Sequence, residues 1–177
     1  MIEKIKELKE KQEVCNIYHD ENDTLRFSVG FILGYDEKFF VIESIDPNGK
    51  SDGFKCGLMD SIIKIESSTN YTNNIGKLFK FYEQNRNNLI VNEDMVLDLL
   101  NFAKQNNKIC SIILCESNND DIVGFVESVE NDLLNIRQIN ENGENDGSAF
   151  LDLGRISGIR CGSGEEIKLE ILYKLNV

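Results

Sequence analysis

His19 is the single histidine of the chain, and histidine is the commonest general acid–base group near neutral pH and the commonest nitrogen ligand for metals. It stands beside Asp20 at the end of a strand-like run, which predicts a surface histidine with no catalytic role. The five cysteines show no paired spacings of a disulfide framework. Cys110 and Cys115 are five apart and face opposite ways in a strand, and one histidine does not complete a zinc-type ligand set at a familiar spacing. Buried structural thiols in a reducing compartment are expected. Cysteine catalysis would need a positioned base and a lowered thiol pKa, and no cysteine neighbourhood in the sequence offers either.

Three further clusters invite a chemical reading. Asn118-Asn119-Asp120-Asp121 could present oxygens to a cation but lacks the spaced loop of a calcium site, so a turn is expected. Gly162-Ser163-Gly164 could offer amides to a phosphate at a helix start. Glu165-Glu166 follows directly and would repel an anion, which leaves capping as its expected role. Arg137, Arg155 and Arg160 are the arginines of the C-terminal half and form the candidate ligand contacts. No catalytic residue, metal or cofactor is expected.

Charge points to the kind of partner. Thirty-one acids against nineteen bases give a formal net charge of −12 over 177 residues. That balance repels polyanions, whose non-specific binding rests on Lys and Arg, and favours a protein partner with a basic patch. Apolar residues make up 41% of the chain and charged residues 28%, as in globular proteins. No apolar run reaches the roughly 18 residues that a membrane helix needs, and the charged N-terminus lacks the apolar core of a secretion signal. A cytoplasmic protein is expected, and the abundance of Asn and Lys points to an AT-rich bacterial or phage genome.

The elements that must position these residues come in two copies. Val29-Gly30-Phe31 aligns with Val123-Gly124-Phe125 at an offset of 94, and the same offset carries Ile42 onto Ile136, Ile45 onto Ile139, Asn48-Gly49 onto Asn142-Gly143 and Asp52-Gly53 onto Asp146-Gly147. Between residues 29–66 and 123–160, 11 of 38 positions are identical. They concentrate at glycines and at apolar positions, as in a structural repeat. Ile2, Ile5 and Leu8 fall on Val96, Leu99 and Phe102, so each copy opens with a helix. Asn92-Glu93-Asp94 supplies a cap and an acidic first turn to the second of these.

Strands are predicted over 14–19, 25–35, 38–46, 52–58 and 61–66, and over 108–116, 121–130, 132–140, 146–151 and 155–160. Gly49 and Gly143 supply turns that tolerate positive φ; Asp52-Gly53 and Asp146-Gly147 are expected to open the following strands. These six residues are the expected structural turn sites. A helix is predicted over 70–82, with 83–88 as linker. Residues 165–175 are ambiguous, because Ile167, Leu169 and Ile171 alternate like a strand while the repeat requires a helix. The fold class is therefore mostly β with helices: two tandem five-stranded small barrels, each preceded by a helix and joined by a helical linker. The modules are expected at 1–86 and 87–177.

A helix followed by five strands, with a glycine in the second strand and an acid six residues on, resembles the Sm-like fold, a small barrel related to SH3 barrels. Gly30, Ile32, Tyr35, Asp36 and Phe39 carry the resemblance in the first copy, and Gly124, Val126, Val129, Glu130 and Leu133 in the second. Phe40 and Leu134 stand where the family has asparagine. Leu58-Met59 and Asp152-Leu153 stand where it has arginine-glycine. In Sm-like proteins those positions help to hold an RNA base, so the resemblance implies the barrel without the base site. The leading expectation is a non-enzymatic binding or scaffold protein that engages a protein partner. An RNA-binding regulator and a small-ligand binder or enzyme using a cleft between barrels are the alternatives.

Overall fold

The computed structural model describes residues 1–19, 25–82, 89–115 and 122–176. The chain divides into two compact units, Met1–Met95 and Val96–Val177. The first holds helix α1 (Ile2–Lys11), strands β1 (Cys15–Tyr18), β2 (Phe27–Tyr35), β3 (Phe39–Ile45), β4 (Ser51–Leu58) and β5 (Lys64–Ser67), and helix α2 (Asn70–Phe81). The second follows the same order: α3 (Met95–Gln105), β6 (Ile109–Leu114), β7 (Ile122–Glu130), β8 (Leu133–Ile139), β9 (Asn145–Asp152), β10 (Ile156–Cys161) and α4 (Gly164–Asn176). Each boundary lies within a few residues of its counterpart 94 positions away. No helix is long and apolar enough to cross a membrane.

The segment 165–175 is helical, as the repeat requires, and a side chain caps its N-terminus as one does at α2. Thr69 Oγ1 accepts from Thr72 N at 3.1 Å, and Thr72 Oγ1 accepts from Thr69 N at 3.0 Å. At the matching place Glu166 Oε2 accepts from Ser163 N at 3.0 Å. The reciprocal pair at α2 and the Glu166 carboxylate at α4 satisfy amides at the start of each helix. Gly162-Ser163-Gly164 thus serves as a cap.

Within each unit the strands pair antiparallel in linear order, β5-β1-β2-β3-β4 and β10-β6-β7-β8-β9. The expected small barrels are not seen as such: among the described residues no ladder joins β4 to β5 or β9 to β10, so neither set of strands closes. The reason lies in the turn after β4. Met59 N bonds Lys38 O at 2.8 Å and Ile63 N bonds Tyr18 O at 2.8 Å, so the chain is carried to the far edge, beside β1. In the second unit Leu153 N bonds Asp132 O at 2.9 Å and a 3-10 turn, Leu153–Arg155, makes the same crossing.

Alternation along the strands supplies two apolar faces in the first unit. One packs α1 through Ile5 and Leu8 onto Cys15, Ile17, Ile32, Phe40 and Ile42. The other packs α2 through Ile75 and Phe79 onto Val14, Val29 and Ile45. In the second unit Leu169 and Tyr173 of α4 lie on Ile109, Phe125 and Ile139. Leu8 is fully buried, and truncating such a residue to alanine typically costs about 2–5 kcal/mol. Gly30 and Gly124 are required by close approach: a Cβ on either would collide with the carbonyl oxygen of Glu43 or of Arg137 across the ladder.

Candidate functional site

The glycines singled out by the repeat have two distinct jobs. Gly49 and Gly143 close the β3–β4 and β8–β9 turns at φ +82° and +77°, and Asp46 Oδ1 and Asn140 Oδ1 tie those turns by accepting two backbone amides each. Gly53 and Gly147, with Asp52 and Asp146, lie inside their strands rather than opening them. Glu43 pairs with Phe54 and Ile45 with Ser51, so Asp52 and Gly53 together oppose Ser44. Asp146 and Gly147 oppose Gln138 in the same way. These are β-bulges with glycine at φ +72° and +86°, a conformation that lets one strand carry an extra residue.

The three arginines are not brought together as one site. Arg137 donates through Nε to Glu127 Oε1 at 2.7 Å and through Nη1 to the Tyr173 hydroxyl at 2.8 Å. Its guanidinium carbon lies 4.8 Å from the Phe125 ring centre and 5.4 Å from that of Tyr173. The Glu127 carboxylate raises its pKa further. Arg160 faces Glu165 at 3.5 Å and the buried Glu166 at 3.9 Å. Arg155 is exposed in the 3-10 turn. Arg137 and Arg160 thus brace the α4 side of the second unit.

Polar clusters that the sequence did not announce occupy both units. In the second, Glu166 accepts from Ser111 Oγ at 2.6 Å, and Glu170 accepts from Ile109 N at 3.1 Å and from Lys108 Nζ at 3.2 Å. Cys110 lies directly across the ladder from Cys161, and the hydrogen bond between them, together with burial, holds its thiol well above the usual range. Cys15 and Cys56 are likewise buried. Cys115 differs from the expectation and is half-buried. In the first unit His19 is no surface histidine: it is half-buried, its ring centre 6.4 Å from that of Phe40. Its Nε2 lies 3.1 Å from Ser28 Oγ and 2.9 Å from Lys55 Nζ.

An ammonium can only donate, so His19 Nε2 accepts and the ring carries its proton on Nδ1. With its lone pair engaged by Lys55, this nitrogen is poorly placed to take a proton from Ser28. At the matching positions the second unit has Ile113, Ile122 and Ala149, which shows that the fold does not require polar side chains there. No signal in the sequence unites residues 19, 28 and 55, which lie on or beside three different strands. Asn118-Asn119-Asp120-Asp121 lies outside the described residues. Among the described residues no three His, Cys, Asp or Glu side chains gather as a metal site.

The most open element is β9. Six of its eight residues are exposed, Asn145 to Ser148, Phe150 and Asp152. At the matching positions of β4, Gly53, Phe54 and Cys56 are buried. Phe150 is 64% exposed, and Leu133, its diagonal neighbour on β8, is 46% exposed. Glu130 and Asp152 pair with Leu133 from either side and Asp132 precedes it, while Asp146 and Glu144 lie further along the chain; all five are exposed. The strand pairs on one side only, with β8, so its outer backbone groups form a row of unused donors and acceptors. No family model, curated protein or solved structure matches the chain.

Proposed function

We propose that the protein is a non-enzymatic binding or scaffold protein built from two Sm-like modules, and that its partner-binding element is β9. The supporting observation is an exposed edge strand that carries an exposed aromatic, with the carboxylates of Glu130, Asp132 and Asp152 about its apolar neighbour Leu133. Such an edge suits strand addition, in which backbone hydrogen bonds give affinity and alternate side chains give specificity. Phe150 supplies the kind of rigid apolar anchor that dominates interface energetics. The acids select a partner segment rich in Lys or Arg, so the partner is a protein with a basic extended stretch. The Sm-like reading of each module draws support from its helix, five strands in fixed order and paired bulges. Phe40 and Leu134 are fully buried and offer nothing to a base.

A peptide-display selection against the full chain tests this reading. Basic segments with alternating apolar residues are expected to enrich, and to lose binding to Phe150→Asp and to Ser148→Pro, which removes a backbone donor on the outer side of the strand. Enrichment of segments that bind both variants unchanged would overturn it.

A further inference from the structure

The first unit carries an open groove of about 480 Å³ between the end of α1 and one face of α2. Its floor is Val14 and Phe31, and Lys11, Lys77 and Lys80 stand around it. Three ammonium groups around one groove are unexpected in a chain with a formal charge of −12. Lys11 is engaged by Glu7 at 2.6 Å. The one carboxyl in the lining, that of Glu13, accepts from Ser68 Oγ at 2.5 Å. Among the described residues no ion pair engages Lys77 or Lys80.

The second unit shows what the same place holds when it is filled. Gly76 in the groove matches Glu170, and Val14 matches Lys108. Glu170 is 6% exposed. Its carboxyl takes one hydrogen bond from the Ile109 backbone and one from the Lys108 ammonium. In the first unit there is no side chain at this point, and a Cβ built on Gly76 would meet nothing closer than Val14 Cγ2 at 3.6 Å. Lys80 has its counterpart in Lys174, whereas Lys77 stands where the second unit has Ile171; the first unit thus adds a cation on the helix, lacks the one that precedes the strand, and has no internal carboxyl.

From this pairing we infer that the groove of the first unit binds a small polycarboxylate, one of whose carboxylates takes the place that Glu170 holds in the second. Lys77 and Lys80 supply charge-assisted hydrogen bonds, which are stronger than neutral ones. Val14 and Phe31 favour a ligand with a carbon skeleton over a bare inorganic anion. The volume lies within the range of small-molecule sites. The inference stands apart from the β9 reading, since it concerns another element and a ligand of opposite charge.

Calorimetric titration of the full chain with succinate, glutarate and citrate, at fixed ionic strength, tests it. At least one is expected to bind, and the double variant Lys77→Gln/Lys80→Gln, altered only at exposed positions, is expected to bind roughly tenfold or more weakly. Gly76→Glu installs the internal carboxyl and is expected to abolish binding. Thermal melts of both variants identify any that fails to fold, and the lysine variant then decides alone. No binding of any of the three, equal binding by the lysine variant, or equally tight binding of inorganic phosphate would overturn the inference.

Discussion

Gly49 lies against Leu78 so closely that a Cβ on the glycine would collide with the leucine's own Cβ. The β3–β4 turn is thereby seated on α2, and Gly143 is seated on Leu172 of α4 in the same way. Gly147 has a similar φ, +86°, but open space where a Cβ would go. Gly49→Ala therefore combines backbone strain with a clash and should cost about 2–4 kcal/mol, whereas Gly147→Ala carries strain alone and should cost about 1 kcal/mol. Urea unfolding of the two variants checks the order; equal losses would mean that packing on the helix contributes nothing.

The duplication, the strand positions and the turn glycines were legible in the sequence because each is local. An offset of 94 preserves residues whose backbone geometry admits few alternatives, and glycine at positive φ is the clearest of these. The start of β4 lies within one residue of its expected place, but the bulge at Asp52-Gly53 is not legible, since a bulge is defined by the register with β3, which the sequence of β4 does not contain. Barrel closure was over-read because a meander pattern does not say which edge the last strand reaches. His19, Ser28 and Lys55 were invisible as a group for the same reason: only the curvature of the sheet brings them within 3.1 Å. The arginine candidates rested on composition, and composition does not register a carboxylate partner such as Glu127.

Glu166 is fully buried and serves both Ser111 and the first turn of α4. Glu166→Ala strands those donors and should destabilise by about 2–3 kcal/mol. Glu165→Ala, at an exposed neighbour, should change stability by under about 0.5 kcal/mol. Thermal melts of the pair separate the two. A similar small loss in both would show that the buried carboxyl does not anchor α4.

Burial pushes the Cys15 thiol up from 9.0 to about 12. The unfolded chain therefore loses this proton at lower pH than the folded chain does. The stability tied to the neutral thiol is complete below about pH 9 and is lost progressively as pH rises towards 12. Cys15→Ala should flatten the decline in unfolding free energy between pH 8.5 and 10.5, in whatever degree other groups also contribute. Parallel declines in variant and parent would show that Cys15 is not the buried group responsible.

Short U-rich or A-rich RNA should not be retained at physiological salt. The net charge opposes it, and Phe40, Leu134, Leu58-Met59 and Asp152-Leu153 replace the polar residues of the Sm-like base site. Non-specific binders typically show dissociation constants of about 10⁻⁴–10⁻⁶ M under such conditions. Fluorescence anisotropy with labelled RNA measures this. Submicromolar binding that weakens steeply with added salt would place an RNA-binding patch on the surface and displace the protein-binding account.

The proposal that β9 is the partner-binding strand is tested most directly by amide hydrogen exchange across the full chain, alone and with a basic peptide obtained by selection. The outward amides of Asn145–Asp152 should exchange quickly in the free protein, because the strand is paired only with β8. They should become protected when the peptide is added, with β1 and β2 unchanged and with no added protection in Phe150→Asp. Protection that appears elsewhere while β9 continues to exchange freely would contradict the account.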